Sequence, residues 1–214
     1  MAAERAEAAR PSGYRTTRME AFSDGVFAIA ITLLVLEIGV PDGSEDDLLA
    51  AVVRQWPSYL TYLVSFSTIG AVWLEHTVIT EFLDRATPAL IRLNLLLLML
   101  VSFLPFPTRL LGDYIAENDA QRVAVTVYGI NLLLVSVVVS LMWRYAVWQR
   151  LIRAGVADAD VRLITKRLTP GVAGYAVFIA AGLFAPVIAV FGYLMIAVYF
   201  IVPFAALRAA GRAR

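Results

Sequence analysis

The chain has 214 residues, 60% hydrophobic and 16% charged, with a mean hydropathy of +0.75 and a formal net charge of +1. Soluble domains are about 45–50% apolar and about 25% charged, and a chain of this size has too little interior to hide the excess, so lipid must cover it. The absence of cysteine excludes a disulfide framework, a thiolate metal site and a cysteine nucleophile, and the near-zero net charge removes the global electrostatic case for nucleic-acid binding.

A membrane-spanning helix needs about 20 mostly apolar residues. In chain order the sequence predicts spans over Met19–Val40, Trp56–Ile79, Pro88–Leu111 and Val123–Val147. The last apolar block, Pro170–Leu207, is long enough for two spans, 170–185 and 186–207. Its break belongs near Ala185-Pro186, because proline suits the first turn of a helix and disrupts an interior. The expected fold is therefore an all-α membrane protein with six transmembrane helices, occupying residues 15–209. Residues 1–14, rich in Ala, Arg and Glu, are expected to be mobile, and 210–214 form a basic tail. The first span does not read as a cleaved signal peptide: it is too long, it carries Asp24 and Glu37, and no small-residue cleavage site follows.

Basic residues set the orientation. With six spans, fifteen of the eighteen Lys and Arg residues fall on one side. They lie in the N-terminal segment (Arg5, Arg10, Arg15, Arg18), around the second loop (Arg85, Arg92), in the fourth loop (Arg144 to Arg167) and in the tail. Arg54, Arg109 and Arg122 fall on the other side, with the acidic loops around Asp42–Asp47 and Asp113–Asp119. Both termini are therefore expected to be cytoplasmic. The longest polar connection, 148–169, has two open readings. Trp148–Leu168 is either an interfacial helix whose arginines snorkel to anionic headgroups, or an extension of the fourth helix followed by a solvated loop.

No Walker, GxGxxG, HExxH or GxSxG motif is present. The single histidine and the lack of a nucleophile–base constellation argue against an enzyme. The informative polar residues are those inside the spans. Asp24 stands about a turn and a half into the first span, where an unpartnered carboxylate costs about 2.5–3.5 kcal/mol. Arg18, six residues earlier, lies on nearly the opposite face, so the two are expected to reach different neighbouring helices. Ser23 can donate to a carbonyl of the preceding turn. Trp73 and His76 share a face of the second span, and Asn94 sits near the start of the third. The topology brings all of these to one depth. A hydrogen-bond cluster that fixes helix packing accounts for them more simply than proton or ion handling does. Ile29, Leu33 and Leu36 form an apolar stripe bordered by Thr32; by spacing alone this means packing or lipid contact.

Arg18-x-x-x-Phe22-Ser23-Asp24, continued by Gly-Val-Phe-Ala-Ile-Ala-Ile-Thr-Leu-Leu-Val-Leu-Glu-Ile, resembles the signature of the transmembrane-175 family of potassium channels, in its prokaryotic single-unit form. Trp73-x-x-His76, Asn94 and Pro105-Phe-Pro-Thr108 resemble further family features in the same order. The resemblance implies a homotetramer in the prokaryotic cell membrane, in contact with lipids, with the first helices lining a central pore. It implies potassium as the permeant ion and no cofactor. It maps the constriction onto Ile29, the next apolar layers onto Leu33 and Leu36, and the position tied to potassium preference onto Thr32. It maps an inter-helix polar network onto Arg18, Ser23, Asp24, Trp73, His76 and Asn94, beside Phe22. Gly25 departs from the family pattern, which often has alanine there. A ring of isoleucines can gate by dewetting but offers no carbonyl cage, so modest selectivity is expected. Acidic outer loops and Glu37 would either concentrate cations at the outer mouth or serve only solubility and topology. The alternative is a proton-coupled secondary transporter using Asp24 and His76, against which no inverted repeat is visible.

Overall fold

The computed structural model describes residues 14–39, 47–117 and 120–202. The expected mobile N-terminal segment (save Tyr14), Asp42, Glu45, Asp46, Asp119, the basic tail and the far ends of the first and last spans, at Val40 and Leu207, lie outside the described residues.

The described residues are mostly helical, with short non-helical connections. Helix α1 (Thr16–Leu33) tightens into a 3-10 turn at Leu34–Glu37 and is followed by a short α2 (Leu48–Arg54). Next come α3 (Trp56–Phe82), α4 (Pro88–Phe103), α5 (Pro105–Tyr114), α6 (Ala120–Trp148), α7 (Asp158–Gly182) and α8 (Pro186–Ile201). Among the described residues the only extended pairings are isolated bridges, Tyr14 with Ala86 and Leu83 with Ile152. Among the described residues four segments are long and apolar enough to cross a membrane: Thr16–Glu37, Trp56–Phe82, Pro88–Tyr114 and Ala120–Trp148.

Prolines mark several boundaries. Pro88 opens α4 behind the Thr87 cap, whose Oγ1 accepts from Leu90 N at 3.3 Å. Pro186 opens α8 beside the expected break. The expected third span, 88–111, differs in detail: it breaks at Leu104 and resumes through Tyr114. Pro105 and Pro107 have no amide hydrogen to donate, so the ladder is interrupted while the chain stays in helical conformation at Leu104.

Pro170, the expected start of the fifth span, lies inside a longer helix. Helix α7 begins at Asp158 and runs through Pro170. Residues on both sides of the proline, Ile164, Leu168, Gly171 and Tyr175, are buried; continuous packing outweighs one missing backbone bond. The 148–169 segment is therefore not an extension of α6. Arg150 takes a left-handed φ of 54°, and Leu151 N returns to Ala146 O at 2.9 Å, closing α6 with a Schellman-type cap.

Helix α3 is the hub and packs against α1, α5, α6 and α8. Helix α6 lies along α7 and α4. Glycine allows two close approaches: a methyl group on Gly129 would strike the Tyr193 hydroxyl and Ile179, and one on Gly192 would strike the Phe178 ring. Without a hydrophobic drive between helices in lipid, such close contact is how their association is stabilised. At one end of the bundle the backbone zips together. Tyr14 and Ala86 exchange bonds of 2.8 and 2.9 Å, Asp84 N donates to Leu151 O at 2.8 Å, and Arg153 N donates to Phe82 O at 2.8 Å. These are the basic segments around Arg15, Arg85, Arg150 and Arg153.

Candidate functional site

Helix α1 packs on α3 and α4 through one face only. Met19, Ser23, Phe27, Ala30 and Leu34 are buried. The opposite face is open: Phe22, Ile29, Leu33 and Leu36 are 57%, 61%, 41% and 73% exposed. In its most apolar stretch α1 is 28% buried, against 56% for α6, so it is the helix least enclosed by its own chain among the four long apolar segments. Ile29, Leu33, Leu36 and Thr32 thus share an uncovered surface. The single Thr32 hydroxyl hydrogen is shared between Ala28 O and Ile29 O, both 2.9 Å away, which leaves the oxygen of this exposed residue able to accept. Gly25 lies on the same side, with nothing within 4 Å of where a Cβ would stand.

Hydrogen bonds tie α1 to α3 and α4. Trp73 Nε1 donates to Asp24 Oδ1 at 2.9 Å. Ser23 Oγ donates to Met19 O at 2.8 Å and accepts from Asn94 Nδ2 at 2.9 Å. Asn94 Oδ1 stands 2.9 Å from His76 Nε2. Because the serine hydrogen is used on Met19 O, Asn94 must donate to Ser23 and present its oxygen to His76, so His76 carries its proton on Nε2. The imidazole also packs against Phe27, with ring centroids 5.5 Å apart. Asp24, Ser23, Trp73, His76 and Asn94 are therefore brought together by α1, α3 and α4. Arg18 stands outside this chain of bonds: it is exposed and lines an open groove with Tyr14, Arg15, Phe22, Ile91 and Leu95.

Two features lie outside the sequence expectations. Glu75, between Trp73 and His76, makes a 2.8 Å ion pair with Arg167 Nε, and the side chains are only 7% and 5% exposed. A carboxylate inside an apolar span needs a counter-charge, and that rule applied to Glu75 is the signal that points to it. A second cluster joins α3, α5 and α6: Ser65 Oγ lies 2.7 Å from Thr108 Oγ1 and 2.9 Å from Tyr128 Oη. At the far end, Arg109 lies 3.9 Å from Glu37 and 3.6 Å from Asp113, so the charge expected of Glu37 at the outer mouth is partly offset. Among the described residues no group of three or more His, Cys, Asp or Glu side chains is placed to hold a metal ion.

Residues 18–105 match the family model described as endosomal/lysosomal potassium channel TMEM175. A potassium channel of Chamaesiphon minutus is 41% identical over 194 residues, covering 89% of this chain and 95% of the relative. This chain belongs to the TMEM175 family. A potassium channel of Streptomyces collinus is 48% identical over 140 residues, covering 64% of this chain and 65% of that one. The crystal structure of a lysosomal potassium-selective channel TMEM175 homolog from Chamaesiphon minutus superposes with a TM-score of 0.79 at 41% identity, covering 90% of this chain and 97% of that one. The segment matched by the TMEM175 model contains the whole bonded cluster from Ser23 to Asn94. The protein is a membrane protein of the same architecture.

Proposed function

We propose that this chain forms a passive, potassium-permeable channel, a homotetramer in which four copies of α1 surround a central pore. The observation that carries this reading is the two-sidedness of α1: one face is tied to α3 and α4 by hydrogen bonds, while the apolar face bearing Ile29, Leu33 and Leu36 is left uncovered. Four such faces around an axis make a narrow apolar bore that holds water poorly and gates by dewetting. Ile29 is the constriction, with Leu33 and Leu36 as further layers toward the outer end. The exposed Thr32 oxygen, its hydrogen taken by the backbone, supplies a weak preference among cations. Ser23, Asp24, Trp73, His76 and Asn94 hold the pore helix, with Arg18 and Phe22 beside them on the open side. No cofactor is needed, since the ion itself is the cargo.

The full reading has six spans in a prokaryotic cell membrane with both termini cytoplasmic, α7 and α8 being the fifth and sixth. The gathering of Tyr14, the Leu83–Ala86 turn and the Leu151–Arg153 segment at one basic end supports that orientation. Six-helix membrane domain and channel domain coincide over residues 15–209.

Reversal potentials of purified protein in mixed potassium and sodium test the proposal, together with potassium flux in liposomes. Wild type should pass potassium without a pH gradient, and Ile29→Asn should raise flux by wetting the constriction. No potassium current, or identical flux after Ile29→Asn, overturns it. Transport that requires a pH gradient and stops with Asp24→Asn would favour a proton-coupled transporter instead.

A further inference from the structure

Arg167 does more than neutralise Glu75. Its Nη2 donates to Phe200 O, and Nη1 and Nη2 reach Val202 O at 3.3 and 3.2 Å. The guanidinium carbon lies 5.7 Å from the Tyr199 ring centroid and 5.9 Å from that of Phe200. The carbonyls at the C-terminal end of α8 carry its negative dipole end, which suits a cation. One side chain of α7 therefore clamps the end of α8 and, through Nε, the last third of α3.

Glu75 occupies the turn of α3 that holds the pore helix. At about 100° per residue, Trp73 and Glu75 project to nearly opposite sides. Trp73 reaches α1 at Asp24, and His76 reaches it through Asn94 and Ser23, each step at 2.9 Å. Glu75 reaches α7. A planar guanidinium fork on a carboxylate and two carbonyls fixes direction as well as distance, which an apolar contact would not.

We propose that the Glu75–Arg167 pair is a positioning strut for the gate, setting the rotation of α3 and through it the distance of α1 from the pore axis. This rests on the channel reading above. With the strut removed, α3 rolls, Asp24 is parted from Trp73 and Asn94 from His76, and the uncovered apolar faces of α1 close on one another and expel water.

Single-channel recording of the full-length protein in planar bilayers tests this, using Glu75→Gln, Arg167→Gln and the double variant Glu75→Gln/Arg167→Gln. The double variant leaves no unpaired buried charge and so remains foldable where a single change does not. The expected result is an open probability lowered about five-fold or more, with the conductance of the remaining openings as in wild type. An open probability unchanged or raised in the double variant, beside a conducting wild type, overturns the strut and leaves the channel intact. So does a loss of assembled protein with normal openings in what remains. A silent wild type overturns the channel reading and the strut's role with it.

Discussion

The indole of Trp73 donates to the Asp24 carboxylate across 2.9 Å, joining the central helix of the bundle to the least enclosed of its four long apolar segments. Trp73→Phe keeps the ring and removes the donor. Because the bond is exposed in the protomer, its loss should lower stability by about 1 kcal/mol, the ordinary net worth of a hydrogen bond. Thermal unfolding of detergent-solubilised protein, followed by size-exclusion chromatography, measures it. A change beyond about 3 kcal/mol would mean that Trp73 packs rather than bonds.

Asn94 is the middle member of the chain from His76 to Ser23, and all three are buried. Asn94→Ala removes two inter-helix bonds and leaves His76 Nε2–H unpaired, for a loss of about 1–3 kcal/mol. Ser23→Ala removes one and should lose less. The bonding order also places the imidazole proton on Nε2, which nitrogen-15 spectra of labelled protein read directly; a proton on Nδ1 alone would contradict it.

Thr32→Ala removes the only hydroxyl on the uncovered face among the residues assigned to the pore. The potassium-to-sodium permeability ratio should fall about five-fold, the equivalent of one interaction of about 1 kcal/mol. Thr32→Ser should retain most of the preference. Reversal potentials under mixed-cation conditions decide between these outcomes.

The glycines separate two environments. Gly192→Ala forces a methyl group into the Phe178 ring and should destabilise by about 1–3 kcal/mol through overpacking. Gly25→Ala meets open space and should be neutral, or stabilising by up to about 1 kcal/mol through better helix propensity. Thermal unfolding of the two variants side by side makes the comparison.

The residues that close α1 onto its neighbours are legible in the amino-acid sequence, because a polar side chain in an apolar span needs a partner and few partners are on offer. The same rule, followed to Glu75, demands a cation. Which cation answers it is not legible: Arg167 lies 92 residues away, in a segment whose basic character reads as loop. Arg18 shows the converse. It belongs to the signature pattern, yet it sits on the open side of α1, outside the bonded cluster.

By itself the sequence determined the membrane class, the long apolar helices and the Pro88 and Pro186 starts. These follow from local composition and from the cost of leaving polar groups in lipid, which need no knowledge of neighbours. Only the tertiary structure decided that α7 continues through Pro170, that α6 stops at a left-handed Arg150, and that Arg167 turns inward to Glu75 and the end of α8. Periodicity says which side chains share a face; it does not say what lies opposite. That depends on which helices pack together, and charges distant in sequence meet only once the bundle is assembled.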